Sequence, residues 1–305
     1  MPPPEMASAA VVPRAWRIWL QAARPGTLFA GAVPVGLGTA LAAAAGSWAP
    51  ATALAALAGA LGLQLGANFY NDYADFLRGA DTASRLGPIR ITQAGWASPR
   101  RVLAAAGAAF AGSALAGCYL ISVAGWPVVA MGLSGIAGGI AYTGGPYPLA
   151  YHGLGELFVF LFFGLMAVAG TFYVHLGTVT APVWAAGAGL GCLASAILVV
   201  NNLRDRQGDA LCGKRTLAVR LGGRAARYQY IALVVAAYLC LGLGWGLSGR
   251  AWGWLLPTLT WPWARRLMAA VGRSEGVALN PLLGRTAQLE AAYGALLGLG
   301  VWLCR

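Results

Sequence analysis

Two short polar stretches hold more than half of the chain's acidic residues. Of nine Asp and Glu in 305 residues, Asp72, Asp75, Asp81, Asp205 and Asp209 lie in them. In the first, Gln64, Asn68, Asp72 and Asp75 fall at i, i+4, i+8 and i+11, so a helix would turn all four to one side, with Asn71 beside them. In the second, Asn201, Asp205 and Asp209 fall at i, i+4 and i+8, next to Asn202. Carboxylates brought together repel, so something positive must sit among them. Oxygen-only donors suit Mg²⁺, which keeps several waters and is commonly shared with substrate phosphates. Fixed cations follow each acidic face: Arg78, Arg85 and the Gly87-Pro88-Ile89-Arg90 turn with Gln93 after the first, Lys214 (the only lysine) and Arg215 after the second. Metal ions bridging phosphate oxygens while Arg and Lys hold the rest is what a diphosphate requires. Four aspartates and a diphosphate of about −3 are brought close to neutrality by two Mg²⁺ and two or three basic side chains. Simple capping would account for one such helix end, not for the same pattern twice.

Apolar spans must position these faces. The chain is 59% hydrophobic and 10% charged, with a mean hydropathy of +0.66, whereas a soluble domain carries roughly 25% charged residues. It reads as an all-α integral membrane protein. The net charge of +12 is spread over loops between apolar runs, which excludes a nucleic-acid partner and makes the lipid bilayer the partner instead. With about 20 residues per crossing, nine spans are expected, at roughly 27–46, 51–72, 101–123, 126–143, 154–175, 181–201, 228–248, 250–268 and 286–304. The eighth is interrupted by Pro257 and Pro262. With the N-terminus in the cytoplasm, nineteen of the twenty-one basic residues fall inside, and Arg250 and Arg305 outside. Both aspartate segments then lie at cytoplasmic ends, of spans two and six. Small residues at helical spacing, as in Ala53–Gly66, Ala104–Gly117 and Gly132–Gly139, suit a close-packed bundle. Residues 1–13 read as a disordered tail and 14–305 as one transmembrane domain. Five cysteines without CxxC spacing indicate neither a disulfide framework nor a zinc site. A secondary transporter would carry polar residues near mid-span, but the acids here are expected at one membrane face.

The same residues carry a family resemblance. Ala22-Ala23-Arg24-Pro25, Asn68-Phe-Tyr-Asn-Asp-Tyr-Ala-Asp75, Gly87-Pro88-Ile89-Arg90, Tyr142-Thr-Gly-Gly-Pro-Tyr-Pro-Leu149, Gly153-Leu-Gly-Glu156, Asn201-Asn-Leu-Arg-Asp205 through Asp209, Gly213-Lys-Arg-Thr216 and Leu279-Asn280 resemble the UbiA superfamily of membrane-embedded aromatic prenyltransferases. The wording around Asn201–Asp205 and Pro146–Glu156 is similar to its MenA-like, naphthoate-prenylating branch. The general superfamily pattern has an Asp four residues after Asp72, where this chain has Phe76. Asp75 takes its place, as in the MenA-like branch.

What the resemblance implies is specific. The fold would be a UbiA-like bundle of nine helices in the bacterial cytoplasmic membrane, with the site near the cytoplasmic face. Asn68, Asp72, Asp75, Asn201, Asp205 and Asp209 would hold Mg²⁺ and the diphosphate of a polyprenyl donor. The acceptor would be 1,4-dihydroxy-2-naphthoate, prenylated with loss of CO₂ to a demethylmenaquinone on the way to menaquinone or phylloquinone. Other acceptors in the superfamily are 4-hydroxybenzoate and homogentisate. Diphosphate or acceptor contacts are expected from Asn68, Asn71, Arg78, Arg90, Gln93, Tyr142, Tyr147, Asn201, Asn202, Lys214 and Arg215. Tyr142, Tyr147, Tyr151 and His152 could shape the acceptor site or shield a carbocation with their ring faces, or simply anchor at the interface. Glu156 opens span five and is a candidate catalytic or acceptor-positioning residue. Asp81 is a candidate for the metal shell, and Arg24 reads as a plain positive-inside residue.

Overall fold

The computed structural model describes residues 13–80, 86–249 and 251–305. The tail expected over 1–13 (apart from Pro13), Asp81, Arg85 and Arg250 lie outside them. Among the described residues the chain is helical throughout, without strands. A short helix α1 (Ala15–Ala23) precedes α2 (Pro25–Ala44), α3 (Pro50–Leu77), α4 (Pro99–Ala124) and α5 (Pro127–Ala141). A 3₁₀ turn at Leu149–His152 leads into α6 (Gly155–Val159), a π-helical segment (Phe160–Met166) and α7 (Ala167–Leu176), one continuous run. Then come α8 (Ala181–Leu211), α9 (Leu217–Leu247), a 3₁₀ stretch Trp252–Thr260, α10 (Trp261–Arg273), a 3₁₀ turn Gly276–Leu279 and α11 (Asn280–Leu303).

Proline sets many of these starts. Pro25, Pro50, Pro99 and Pro127 each occupy the first helical position, where a missing N–H costs nothing and the fixed φ is already helical. Pro262 does the same near the start of α10, while Pro257 lies in the 3₁₀ stretch before it. The interruption expected in the eighth span is therefore a change of helix type. Gly222, at φ 83°, breaks α9 near its beginning, so the long straight part of α9 starts close to where the seventh span was expected.

Each of the nine expected spans falls on a helical run. Six runs among the described residues are long and apolar enough to cross a membrane: α2, α3, α4, α6 through α7, α8 and α9. Helix α5 is a shorter apolar helix. Helix α11 begins at Asn280, six residues before the expected start, because Asn280-Pro281 supplies a start signal that outweighs the polarity of Arg285.

Helix α8 is the core. It is buried along most of its length between α9, α11 and the π-helical segment. Gly164 of the π-helical segment meets the backbone at Gly187 and Gly191 of α8, an approach that any side chain would block. Gly62 and Gly66 of α3 likewise sit against Ser113 and Phe110 of α4. Gly107, Gly112, Gly117 and Gly132 face open space, so only part of the small-residue pattern serves helix approach.

The helices alternate between two ends. At one, Ser47 Oγ donates to the His175 carbonyl at 3.1 Å and Tyr173 Oη to the Ala124 carbonyl at 3.3 Å. At the other, the C-termini of α3, α5 and α8 meet the N-termini of α2, α6 and α11, and here both aspartate segments lie.

Candidate active site

The site is assembled from four sequence-distant pieces. Helix α3 brings Asn68, Asn71, Asp72, Asp75 and Arg78. The Asn68 amide donates to the Ala23 carbonyl and to Thr27 Oγ1, each at 2.9 Å, while Arg24 donates to the Asn68 carbonyl at 3.3 Å. Arg24 is thus a fastening between the α1–α2 corner and α3, not the plain positive-inside residue expected. Asn71 Oδ1 accepts from Thr143 Oγ1 at 2.7 Å, and Arg78 donates to the carbonyls of Thr143 and Gly145. The polar end of α3 is therefore tied to the segment that follows α5.

Asp72, 1% exposed, is held by the loop 86–98. Its Oδ2 accepts from the Ile91 backbone N–H and its Oδ1 from that of Thr92, both at 3.2 Å. Charge-assisted bonds of this kind fix a carboxylate firmly. The same loop places Arg90 beside Asp75, N to O 3.5 Å, and leaves Gln93 half-buried.

Tyr151, in the 3₁₀ turn before α6, joins the two acidic ends. Its hydroxyl donates to Asp75 Oδ1 at 2.9 Å. Its ring stands between two cations, with Arg78 at 5.4 Å and Lys214 at 5.6 Å from the centroid. Lys214 Nζ lies 4.0 Å from Asp209 Oδ1, and the Arg215 backbone N–H donates to the Tyr151 carbonyl at 3.1 Å. Tyr147, by contrast, is exposed and stacks on His152 at 3.6 Å.

On α8, Arg204 organises the acids. It grips Asp205 with two parallel bonds, Nε to Oδ1 at 2.8 Å and an Nη to Oδ2 at 2.6 Å. It also donates to Asn201 Oδ1 at 2.7 Å and to Asn280 Oδ1 of α11 at 3.0 Å. Asn280 in turn donates to the Leu86 carbonyl at 3.2 Å, which brings the loop 86–98 over from the α3 side. In the sequence Arg204 stands inside the Asn201–Asp205 motif and among the inside positive charges, without a role of its own. Its signal was its place within a helix, beside Asp205 and three residues after Asn201, where a bidentate pair can form.

Below this polar layer, Glu156 is buried at the start of α6. Asn202 donates to its Oε1 at 3.0 Å, Ser195 Oγ donates to its backbone carbonyl at 3.0 Å, and its Oε2 is buried without a hydrogen-bond partner. Tyr142, which caps α5, packs on Phe158 with the rings tilted by 46° and their centroids 5.4 Å apart. An apolar cavity of about 370 Å³ begins here, where Gln64, Ala67, Gly139 and Phe158 line it, within the size range of ligand pockets.

The donor types suit Mg²⁺: the four aspartates offer only hard oxygen atoms, each with lone pairs beyond the bonds described. No three acidic, His or Cys side chains among the described residues form a ready-made metal cluster. Arg90, Arg204 and Lys214 instead sit against Asp75, Asp205 and Asp209. Glu290 departs from the expected placement of acids at one face. It lies ten residues into α11, fully buried, with neither carboxyl oxygen hydrogen-bonded.

The acidic ends of α3 and α8 thus meet at one end of a helical bundle that also holds an apolar cavity lined by α3. A profile of the UbiA prenyltransferase family matches residues 32–275. The chain belongs to that family. It is 44% identical over 223 residues to the 1,4-dihydroxy-2-naphthoate octaprenyltransferase of Mycobacterium tuberculosis, covering 72% of this chain and 75% of the relative. It is 35% identical to the 1,4-dihydroxy-2-naphthoate octaprenyltransferase of Escherichia coli, covering 93% of this chain and 95% of that one. A UbiA homolog from Archaeoglobus fulgidus, solved bound to DMAPP and Mg²⁺, shares the fold at a TM-score of 0.65 and 14% identity, over 92% of this chain and 98% of that one.

Proposed function

We propose that the chain transfers a polyprenyl group from prenyl diphosphate to 1,4-dihydroxy-2-naphthoate with loss of CO₂, a step of menaquinone synthesis. The observation that carries the reading is Tyr151, which joins Asp75 to Lys214 and Asp209, while the same helix α3 lines an apolar cavity from Gln64 and Ala67 onward. Naphthoate rather than another acceptor is favoured by the two relatives named above, which cover most of this chain. The unit that works is the chain from Arg14 onward, crossing the bacterial cytoplasmic membrane nine times with the site near the cytoplasmic face.

Asp72, Asp75, Asp205 and Asp209, with Asn68 and Asn201 nearby, would hold Mg²⁺. When bound, the metal neutralises the leaving diphosphate and lowers the barrier to its departure. Arg78, Arg90, Lys214 and Arg215 take the remaining diphosphate oxygens. The donor's allylic C–O bond breaks, and its electron pair leaves with the diphosphate. The ring faces of Tyr142 and Tyr151 face the positive charge that develops on the allyl group. The naphthoate ring carbon that bears the carboxylate then attacks. The C–CO₂ bond breaks and returns its electron pair to the ring. Glu156, fixed through Asn202, presents its second oxygen to an acceptor hydroxyl. Tyr147 guards the entrance from its exposed position.

Purified protein given octaprenyl diphosphate, Mg²⁺ and the naphthoate should release diphosphate and CO₂ in equal amounts. A prenylated product from 4-hydroxybenzoate alone, formed without CO₂, overturns the acceptor assignment.

A further inference from the structure

The last two helices are unevenly charged. Residues 251–305 hold five arginines and two acids. Neither acid is open to the arginines near it: Glu290 is fully buried, and Glu275 is drawn to Arg227 of α9 at 2.8 Å. Arg305 stands at the end of the bundle away from the aspartates, against the Ala43 carbonyl. The other four, Arg265, Arg266, Arg273 and Arg285, are exposed and have no acidic partner among the described residues.

Their placement is the reverse of what hydrocarbon asks of a helix. Helix α10 turns Ala264, Leu267 and Val271 into the bundle and leaves Arg265, Arg266, Ala269, Gly272 and Arg273 outward. Helix α11 packs beside it and turns Gly284, Arg285 and Gln288 outward. Arg266 lies seven residues before the end of α10 and Arg285 five after the start of α11, about 10 and 8 Å from the aspartate end of the bundle. An unpaired guanidinium at that depth is costly in lipid, and its long stem can reach back toward the headgroups. Between Arg266 and Gly272 only Ala269 is exposed, and Gly272 and Gly284 both face open space. No bulky side chain shields the guanidiniums from a group lying against them.

What this surface lacks is negative charge, and the bilayer supplies it as phosphodiester headgroups. Guanidinium forks match phosphate oxygens through paired, charge-assisted hydrogen bonds. We propose that the outward face of α10 and α11 holds the headgroup of an anionic phospholipid, its phosphate shared among Arg265, Arg266 and Arg285. Arg273 adds charge nearer the surface. The α10–α11 corner leads into Asn280, which links Arg204 to the Leu86 carbonyl. A lipid bound here steadies that corner and, through Asn280, the acidic end of α8. The assignment stands apart from the reaction and needs only the membrane setting.

Native mass spectrometry of the full-length protein in neutral detergent gives an apparent Kd for dioleoylphosphatidylglycerol, with dioleoylphosphatidylcholine as the zwitterionic reference. The wild type should prefer the anionic lipid about tenfold or more, and each arginine beside the phosphate should contribute about fivefold. The triple variant Arg265→Gln, Arg266→Gln, Arg285→Gln should therefore lose the preference. Arg100→Gln with Arg101→Gln, equally exposed at the start of α4, should keep it within about twofold. Should the triple variant fail to fold, Arg285→Gln alone should weaken the anionic lipid about fivefold and leave the choline lipid unchanged. Equal affinity for the two lipids in the wild type, or equal losses from the α4 pair and the α10–α11 triple, overturns the proposal. Displacement of the lipid by excess inorganic phosphate overturns it too, by marking a site for a free anion.

Discussion

The two acidic helix ends are held in opposite ways. On α3, Asp72 is fixed by two backbone N–H groups of a loop nineteen and twenty residues further on. On α8, Asp205 is fixed by the guanidinium of its own neighbour, 2% exposed. A backbone clamp depends on the path of the loop and tolerates changes in its side chains. A side-chain fork depends on one residue and fails with it. The α3 end therefore depends on the path of the loop 86–98, and the α8 end on the single side chain of Arg204. Both carboxylates are set before any substrate arrives, which is how electrostatic sites avoid reorganisation cost during reaction.

The largest effect should come from breaking the α8 side. Arg204→Met takes the bidentate fork away from the largely buried Asp205 and should cost about 3 kcal/mol of stability, read as a fall in the melting temperature in detergent. The double variant Arg204→Met with Asp205→Leu should recover much of that stability and none of the activity. If the single variant melts like wild type, the contrast between the two ends is wrong. Next, Asp72→Asn and Asp75→Asn should each lower kcat about a hundredfold. The cost in stability should be smaller, about 1–3 kcal/mol, because each Asn keeps one acceptor oxygen and turns its amide N–H₂ toward a donor that the carboxylate had satisfied. Retained turnover in both would remove the α3 end from the chemistry. Tyr151→Phe keeps the ring between Arg78 and Lys214 but removes the bond to Asp75. It should lower kcat/KM by about tenfold or less, close to one ordinary hydrogen bond.

The smallest effect belongs to a solvent-facing pair. Arg227 holds the exposed Glu275 carboxyl below its usual range through a 2.8 Å bond. The folded state lowers that group's pKa, so the stabilisation is present above about pH 4.5 and is lost as the pH falls below it. Glu275→Gln should barely change the melting temperature at neutral pH and should match wild type in acid. A large neutral-pH difference would mean that exposed pairs matter here as much as the buried fork.

The helical faces were readable because Asn68, Asp72 and Asp75 obey the 3.6-residue period, and the helices fall where apolar runs of sufficient length fall. Asn68 shows the limit of such reading. Periodicity puts it on the acidic face but cannot show that its amide is committed to Ala23 and Thr27. Arg204 was hidden for a related reason: an arginine near a membrane surface looks like any other positive-inside residue until its partners are known. The role of Tyr151 depends on a loop doubling back across α3 and α8, which no local pattern encodes. The depth of Glu290 followed from where α11 starts, and an apolarity window places that start too late. The π-helical segment differs from an ordinary apolar helix only in its backbone bonds.

The partners of the site are separated in order of synthesis. Asp75 waits for Tyr151, and Arg204 for Asn280, each 76 residues downstream. A chain emerging from the ribosome at about 5–20 residues per second inserts its acidic ends seconds before their counterparts exist. Until Asn280 is made, Arg204 and the loop at Leu86 lack the residue that links them. The apolar helices can enter the bilayer one by one, but the polar centre closes only when the last helix arrives. A chain stopped before Asn280 would be inserted, full of greasy helices, and catalytically unfinished.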